Sequence, residues 1–116
     1  MNYVALFKGF LLFMLAHSCT IFQLNGQFKW NWFKENEWVV ILFGLPISLF
    51  FILATKYTVK GFDGLLWPTK FIGFGIGIIL YYIFIVRFFN EELSLKTIIS
   101  LILSIVLICL QVFWKD

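Results

Sequence analysis

Four stretches of this sequence are apolar over lengths that reach, or nearly reach, the roughly 20 helical residues needed to cross about 30 Å of hydrocarbon. They cover residues 3–24, 38–55 (slightly short), 68–89 and 94–114. Lipid offers no hydrogen bonds, so each span must satisfy its own backbone, and a helix does this within one segment. A membrane β-barrel would instead alternate apolar and polar residues over segments of about ten. The connections, residues 25–37, 56–67 and 90–93, are short. The expected architecture is therefore an all-α membrane protein, a four-transmembrane-helix bundle with short loops, forming a single domain over residues 1–116. Composition agrees: 62% of residues are hydrophobic and 13% charged, against about half and a quarter in soluble domains. A water-soluble chain this small could not cover so much apolar surface. The first partner is thus the lipid bilayer, and the expected location is a membrane crossed several times (the inner or plasma membrane in a bacterium).

The span boundaries carry their own signals. Trp30, Trp32 and Trp38 gather at one expected interface, and Trp67 and Trp114 at the other. Tryptophan favours that level because its ring is apolar and its N–H seeks water. Asp63-Gly64 marks a turn. Pro68 suits the first turn of the third helix, where a missing N–H costs nothing. Asn90 can end that helix in the left-handed conformation, and Ser94 can cap the fourth. Gly44 and Pro46 predict a kink in the second helix. The four-residue connection makes helices three and four antiparallel neighbours.

Orientation is weakly encoded. The side holding the N-terminus, side A, carries Lys8, Lys56, Lys60, Lys70 and Lys115; side B carries Lys29, Lys34, Arg87 and Lys96. Five against four leans both termini towards the cytoplasm under the positive-inside rule, and leaves insertion in both directions open. These bases are scattered between apolar spans and form no basic face, which argues against nucleic acid as a partner. Lys8, the apolar run 9–16 and the small residues Ala16 and Ser18 resemble a removable signal peptide. The apolar stretch continues through Phe22, so a retained span is the preferred reading. Cys19 and Cys109 fall roughly 15 Å apart in depth at ~1.5 Å per residue. A disulfide needs Cα atoms within about 7 Å, so two free thiols are expected.

His17 is the leading candidate for chemistry. It lies inside the first span, roughly 10 Å from side B at ~1.5 Å per residue. An ionisable group inside a membrane is costly and is a functional candidate by default, and an unperturbed pKa near ~6.5 would let it exchange protons. Thr20 and Gln23 extend the candidate substrate or proton site along the same helix. The plainer reading makes His17, with Ser18, Thr20 and Gln23, polar glue between helices. Lys8 can extend its ammonium to the headgroups of side A, and Arg87 can pair with Glu91 at i+4 if the helix runs that far. Gly73 and Gly77 form a GxxxG pair suited to close helix approach, and also face the candidate site; Ser100 and Ser104 repeat the small-xxx-small spacing in the fourth helix. The carboxylates Glu35, Glu37, Asp63, Glu91, Glu92 and Asp116 all fall in connections or at ends. No paired acids, nucleophile–base motif or metal spacing is present in the sequence. Neither enzyme activity, a cofactor nor a metal is expected.

The second half of the chain supports a resemblance. Gly73-Phe74-Gly75-Ile76-Gly77, the run from Arg87 through Asn90 and Ser94 to Lys96, and a final apolar helix resemble the end of small multidrug resistance transporters. They also resemble uncharacterised four-helix members of the wider drug/metabolite transporter superfamily, as do residues 54–57 and 69–71. Asn90 stands where the turn glycine of those transporters usually is. Leu15-Ala16-His17 falls where they carry Leu-Ala-Glu, whose glutamate binds protons and substrate. With histidine in that place, a cationic side chain would repel cationic drugs. The resemblance implies four helices, a homodimer and transport. The expected function is thus a small transporter-like membrane protein with its substrate path between helices one to three and its dimer contact on helix four. The alternative is a non-catalytic accessory subunit packed against a larger membrane complex.

Overall fold

A computed structural model describes residues 1–114, so Lys115 and Asp116, counted above among the side A charges and the terminal carboxylates, lie outside the described residues. Among the described residues the chain forms helices and no strand, and four helices are long and apolar enough to cross a membrane. The first span is α1, Tyr3–Asn25. Asn2 caps it, its side chain accepting from the Ala5 N–H at 3.1 Å. A short turn, Gly26–Phe28, and a five-residue helix α2, Asn31–Glu35, follow on side B. The second span is built from α3, Glu37–Leu42, and α4, Gly44–Gly61. The third is α5, Leu66–Phe88, and the fourth α6, Leu95–Phe113.

The structure departs from the expected boundaries and connections. The second span starts at Glu37 and continues to Gly61, so Lys56 and Lys60 sit on its last turns and not in a loop. The apolar run stops at Thr55, but a lysine at headgroup level does not end a helix, since its stem stays in lipid while its charge reaches water. What ends it is the turn beyond Phe62, where Asp63 and Gly64 take φ of 57° and 90°. The second change is that the connection 25–37 is itself largely helical. The second span is interrupted at Phe43, beside Gly44 and Pro46, from which a kink is expected. Pro46 has no N–H to offer the Leu42 carbonyl one turn earlier, so the ladder breaks there.

The short turn into α6 follows the sequence reading. Asn90 is left-handed at φ 56°. Ser94 caps α6, its Oγ accepting from the Thr97 N–H at 3.2 Å. Ser94→Ala should therefore destabilise the fold by about 1 kcal/mol, read as a lower midpoint in thermal unfolding in detergent, whereas Ser100→Ala should not. The expected Arg87–Glu91 pair is not formed, because α5 ends at Phe88 and Glu91 never reaches the i+4 position. Among the described residues the one ion pair joins the Met1 amine to Asp63 at 3.1 Å. Cys19 and Cys109 are free thiols.

The spans pack in the spatial order two, one, three, four. α1 packs most extensively on α4, then on α5; α6 packs chiefly on α5, while α4 and α5 barely touch. The result is a flattened bundle, 49 × 36 × 18 Å, not a square one. Its core centres on Leu6, Phe13, Ala54, Phe62, Ile72 and Ile76. The tightest crossing is between α1 and α4. A Cβ on Gly61 would stand 2.9 Å from the Leu6 backbone, and one on Gly9 would run into the fully buried Thr58, 2.9 Å from its backbone N. Thr58 Oγ1 has no hydrogen-bond partner and faces the Gly9 Cα. Ala5 and Gly9 on α1, with Ala54, Thr58 and Gly61 on α4, form small-residue stripes at helical spacing, which let the two backbones approach.

This topology makes a labelling prediction. Single cysteines at positions 27–36 and 90–93 should react with an impermeant thiol reagent from one side, and those at 62–65 from the other. Labelling of the 27–36 and 62–65 segments from the same side would eliminate four spans.

Candidate functional site

Because α4 and α5 part while both rest on α1, a groove of about 420 Å³ runs between the first three spans. α1 supplies its floor through Phe13 and His17, one turn apart. α4 supplies one wall through Phe51 and Thr55, and α5 the other through Leu66, Thr69, Lys70, Gly73 and Phe74. Each wall is one helix face, since residues three and four apart stack above one another.

The groove is polar at its side A end and aromatic at depth. Lys70 lies one turn inside α5, exposed, close to the level of Trp67. Further in, the half-buried His17 ring lies between Phe13, stacked at 6.0 Å between centroids, and Phe51, edge-on at 5.0 Å. The third side of the imidazole is α5. A Cβ on Gly77 would come within 2.7 Å of His17 Cε1, so only glycine there leaves the ring its present place. The Gly73 backbone is its polar neighbour on the same helix.

The candidate residues divide into two sets. His17 and Gly73 line the groove, and Gly77 shapes it from behind the imidazole. Thr20 and Gln23 do not line it. The Thr20 hydroxyl donates to the Ala16 carbonyl of its own helix at 2.8 Å, and the Gln23 amide donates to the Val40 carbonyl at 3.1 Å, tying α1 to α3. Gln23 is thus polar glue between spans, while His17 has the Gly73 backbone of α5 as its polar partner and also opens on the groove.

The packing candidates divide similarly. A Cβ on Gly73 would stand 3.2 Å from the Phe13 ring, so the GxxxG pair receives aromatic rings of α1 within this chain. The close contact of α5 with α6 falls at Gly75, where a Cβ would meet Ile108 at 2.5 Å and the Ser104 carbonyl at 3.3 Å. Ser104 is buried there, its hydroxyl donating to the Ser100 carbonyl at 2.9 Å; Ser100 is exposed.

Side B is closed by an aromatic cluster. Phe22 of α1 meets Trp30, Phe84 and Phe88 at 5.3–6.1 Å between centroids. Lys29 donates to the Phe88 carbonyl and lies 5.2–5.8 Å from the ring centres of Trp30, Phe88 and Phe89. A cation at a helix C-terminus meets the negative end of the helix dipole, and the three ring faces attract the same charge. On side A, Lys8 and Lys56 both lie over the Tyr57 ring, at 5.7 and 5.9 Å.

Phe13, Phe51, Thr55, Thr69, Lys70 and Phe74 were not among the site residues expected from the sequence. Helical spacing places each of these sets on one face, but only the packing order reveals which faces converge. No family model, curated protein or solved structure matches the chain.

Proposed function

We propose that this multi-pass membrane protein is transporter-like and carries a small molecule along the groove between α1, α4 and α5. The observation that carries the reading is the placement of His17, an ionisable side chain at membrane depth, on the floor of a 420 Å³ groove formed by three spans. The imidazole lies between two aromatic rings, beside the Gly73 backbone of α5, and opens on the cavity. The resemblance of residues 73–77 and 87–96 to small multidrug resistance and drug/metabolite transporters supports the same reading, with the key glutamate exchanged for His17. In this reading α6, which buries only Ser104, joins two copies in a homodimer, and both termini face the cytoplasm.

The exposed face of α6 also favours a second reading, an accessory subunit whose fourth span is covered by a larger membrane complex. Purification in mild detergent separates the two. A mass of two chains with a bound small molecule supports the transporter-like homodimer. A stoichiometric foreign subunit supports the accessory role.

A further inference from the structure

We infer that the groove takes an amphiphilic anion, with its acidic head at Lys70 and its apolar body among Phe13, Phe51 and Phe74. The inference rests on the reading of the groove as a binding path and names the class of molecule that fits it.

Charge points this way first. The groove is lined by no carboxylate; its ionisable groups are Lys70 and His17. Lys8, Lys56 and Lys60 on α1 and α4 share its membrane side but not its lining, Lys8 and Lys56 lying over the Tyr57 ring. Among the described residues the carboxylate on that side is Asp63, already engaged with the Met1 amine at 3.1 Å. A cationic head entering there would meet only like charge, whereas a phosphate or carboxylate would gain a charge-assisted contact.

The order of polarity along the groove points the same way. Lys70, with Thr69 and Thr55, lies near the membrane surface, where a charged head can stay hydrated. The deeper lining is aromatic, which suits an alkyl chain or ring lying parallel to the spans. α4 and α5 barely touch, so an amphiphile already in the bilayer can enter between them without its apolar part crossing water. Two sources share this chemistry, an anionic lipid of the bilayer and a free amphiphile.

The test is native mass spectrometry of the full chain in an uncharged detergent, with three probes of equal chain length: dodecyl phosphate, dodecyltrimethylammonium and dodecanol. Dodecyl phosphate should bind about tenfold tighter than dodecyltrimethylammonium, as one charge-assisted contact predicts. Lys70→Gln, at an exposed position, should bring the two to parity and leave dodecanol binding unchanged. Lys60→Gln, exposed on the same side but outside the groove, should keep the preference. Equal or tighter binding of the ammonium probe by the native chain would overturn the inference. So would loss of the preference in Lys60→Gln as complete as in Lys70→Gln, since the selectivity would then belong to the surface as a whole. An anionic phospholipid retained one to one, and lost in Lys70→Gln, assigns the ligand to the bilayer. Dodecyl phosphate binding without retained lipid assigns it to a free amphiphile. If the preference holds and no probe crosses a membrane, the transport reading fails alone. If probes cross with a preference for cations, this inference fails alone.

Discussion

Gly61→Ala should destabilise the protein by about 1–3 kcal/mol, the usual cost of forcing an extra methyl into a packed interface. The new Cβ would stand 2.9 Å from three atoms of Leu6, its N, Cα and Cβ. Backbone cannot rotate away as a side-chain tip can, so α1 and α4 would have to separate. Gly61 is helical and not left-handed, so alanine gains up to about 1 kcal/mol of helix propensity, which offsets only part of that cost. Gly9→Ala should behave alike, since its Cβ meets the buried Thr58 side chain and backbone. Leucine at either position should abolish folded protein. Gly44→Ala is the matched control: its nearest neighbour, Gln23 Nε2, would lie at an ordinary 3.4 Å. Thermal unfolding in detergent should rank Gly61→Ala and Gly9→Ala well below the native chain and Gly44→Ala beside it. Equal midpoints for Gly61→Ala and Gly44→Ala would mean that the α1–α4 crossing is not close.

The second large effect is expected at His17. Glutamine keeps a hydrogen-bonding side chain in the slot between Phe13, Phe51 and Gly77, but cannot take up a proton. His17→Gln should therefore change stability by no more than about 0.6 kcal/mol, the average for a polar contact between membrane helices. Its effect should fall on function. In the native chain, transport or ligand binding should change between about pH 5 and 8, the range in which histidine titrates. In His17→Gln the profile should be flat. Gly77→Ala reaches the same ring from α5: its Cβ would stand 2.7 Å from Cε1, so the imidazole must move and the pH profile should shift without loss of fold. A native-like pH profile in His17→Gln, measured in proteoliposomes, would remove His17 from the mechanism and leave it a packing residue.

Much of the scaffold was legible in the residues because lipid leaves few choices. Long apolar stretches must be helices, and Asp63-Gly64, Asn90 and Ser94 act through local backbone geometry. The end of the second span was misplaced because hydropathy marks the edge of the hydrocarbon, not the end of the helix. Lys56 and Lys60 continue α4 beyond that edge to Gly61. The site was legible only in part. His17 stands out because an ionisable residue inside an apolar span is unusual. Its neighbours Phe51, Thr55, Lys70 and Phe74 do not, because aromatic and small polar residues recur on every face of these helices. What joins them is the spatial order two, one, three, four. That order is set by the small-residue stripes of α1 and α4, where Ala5, Gly9, Ala54, Thr58 and Gly61 permit a closer crossing than Gly73 and Gly77 make elsewhere.

If the groove between α1, α4 and α5 is a path for solute, a cysteine at position 55 should be reachable from water on both sides. Thr55 lines the groove roughly 9 Å inside the end of α4, at ~1.5 Å per residue, and cysteine is close to threonine in size. In a chain with Cys19 and Cys109 replaced by alanine, reconstituted in one orientation, a membrane-impermeant thiol reagent should label this position from side A and, more slowly, from side B. Ile52→Cys, on the exposed surface of the same helix, should not be labelled from either side. Labelling of Thr55→Cys from both sides is the result expected of a transport path. Labelling from side A alone, no labelling from either side, or equal labelling of Ile52→Cys would contradict it.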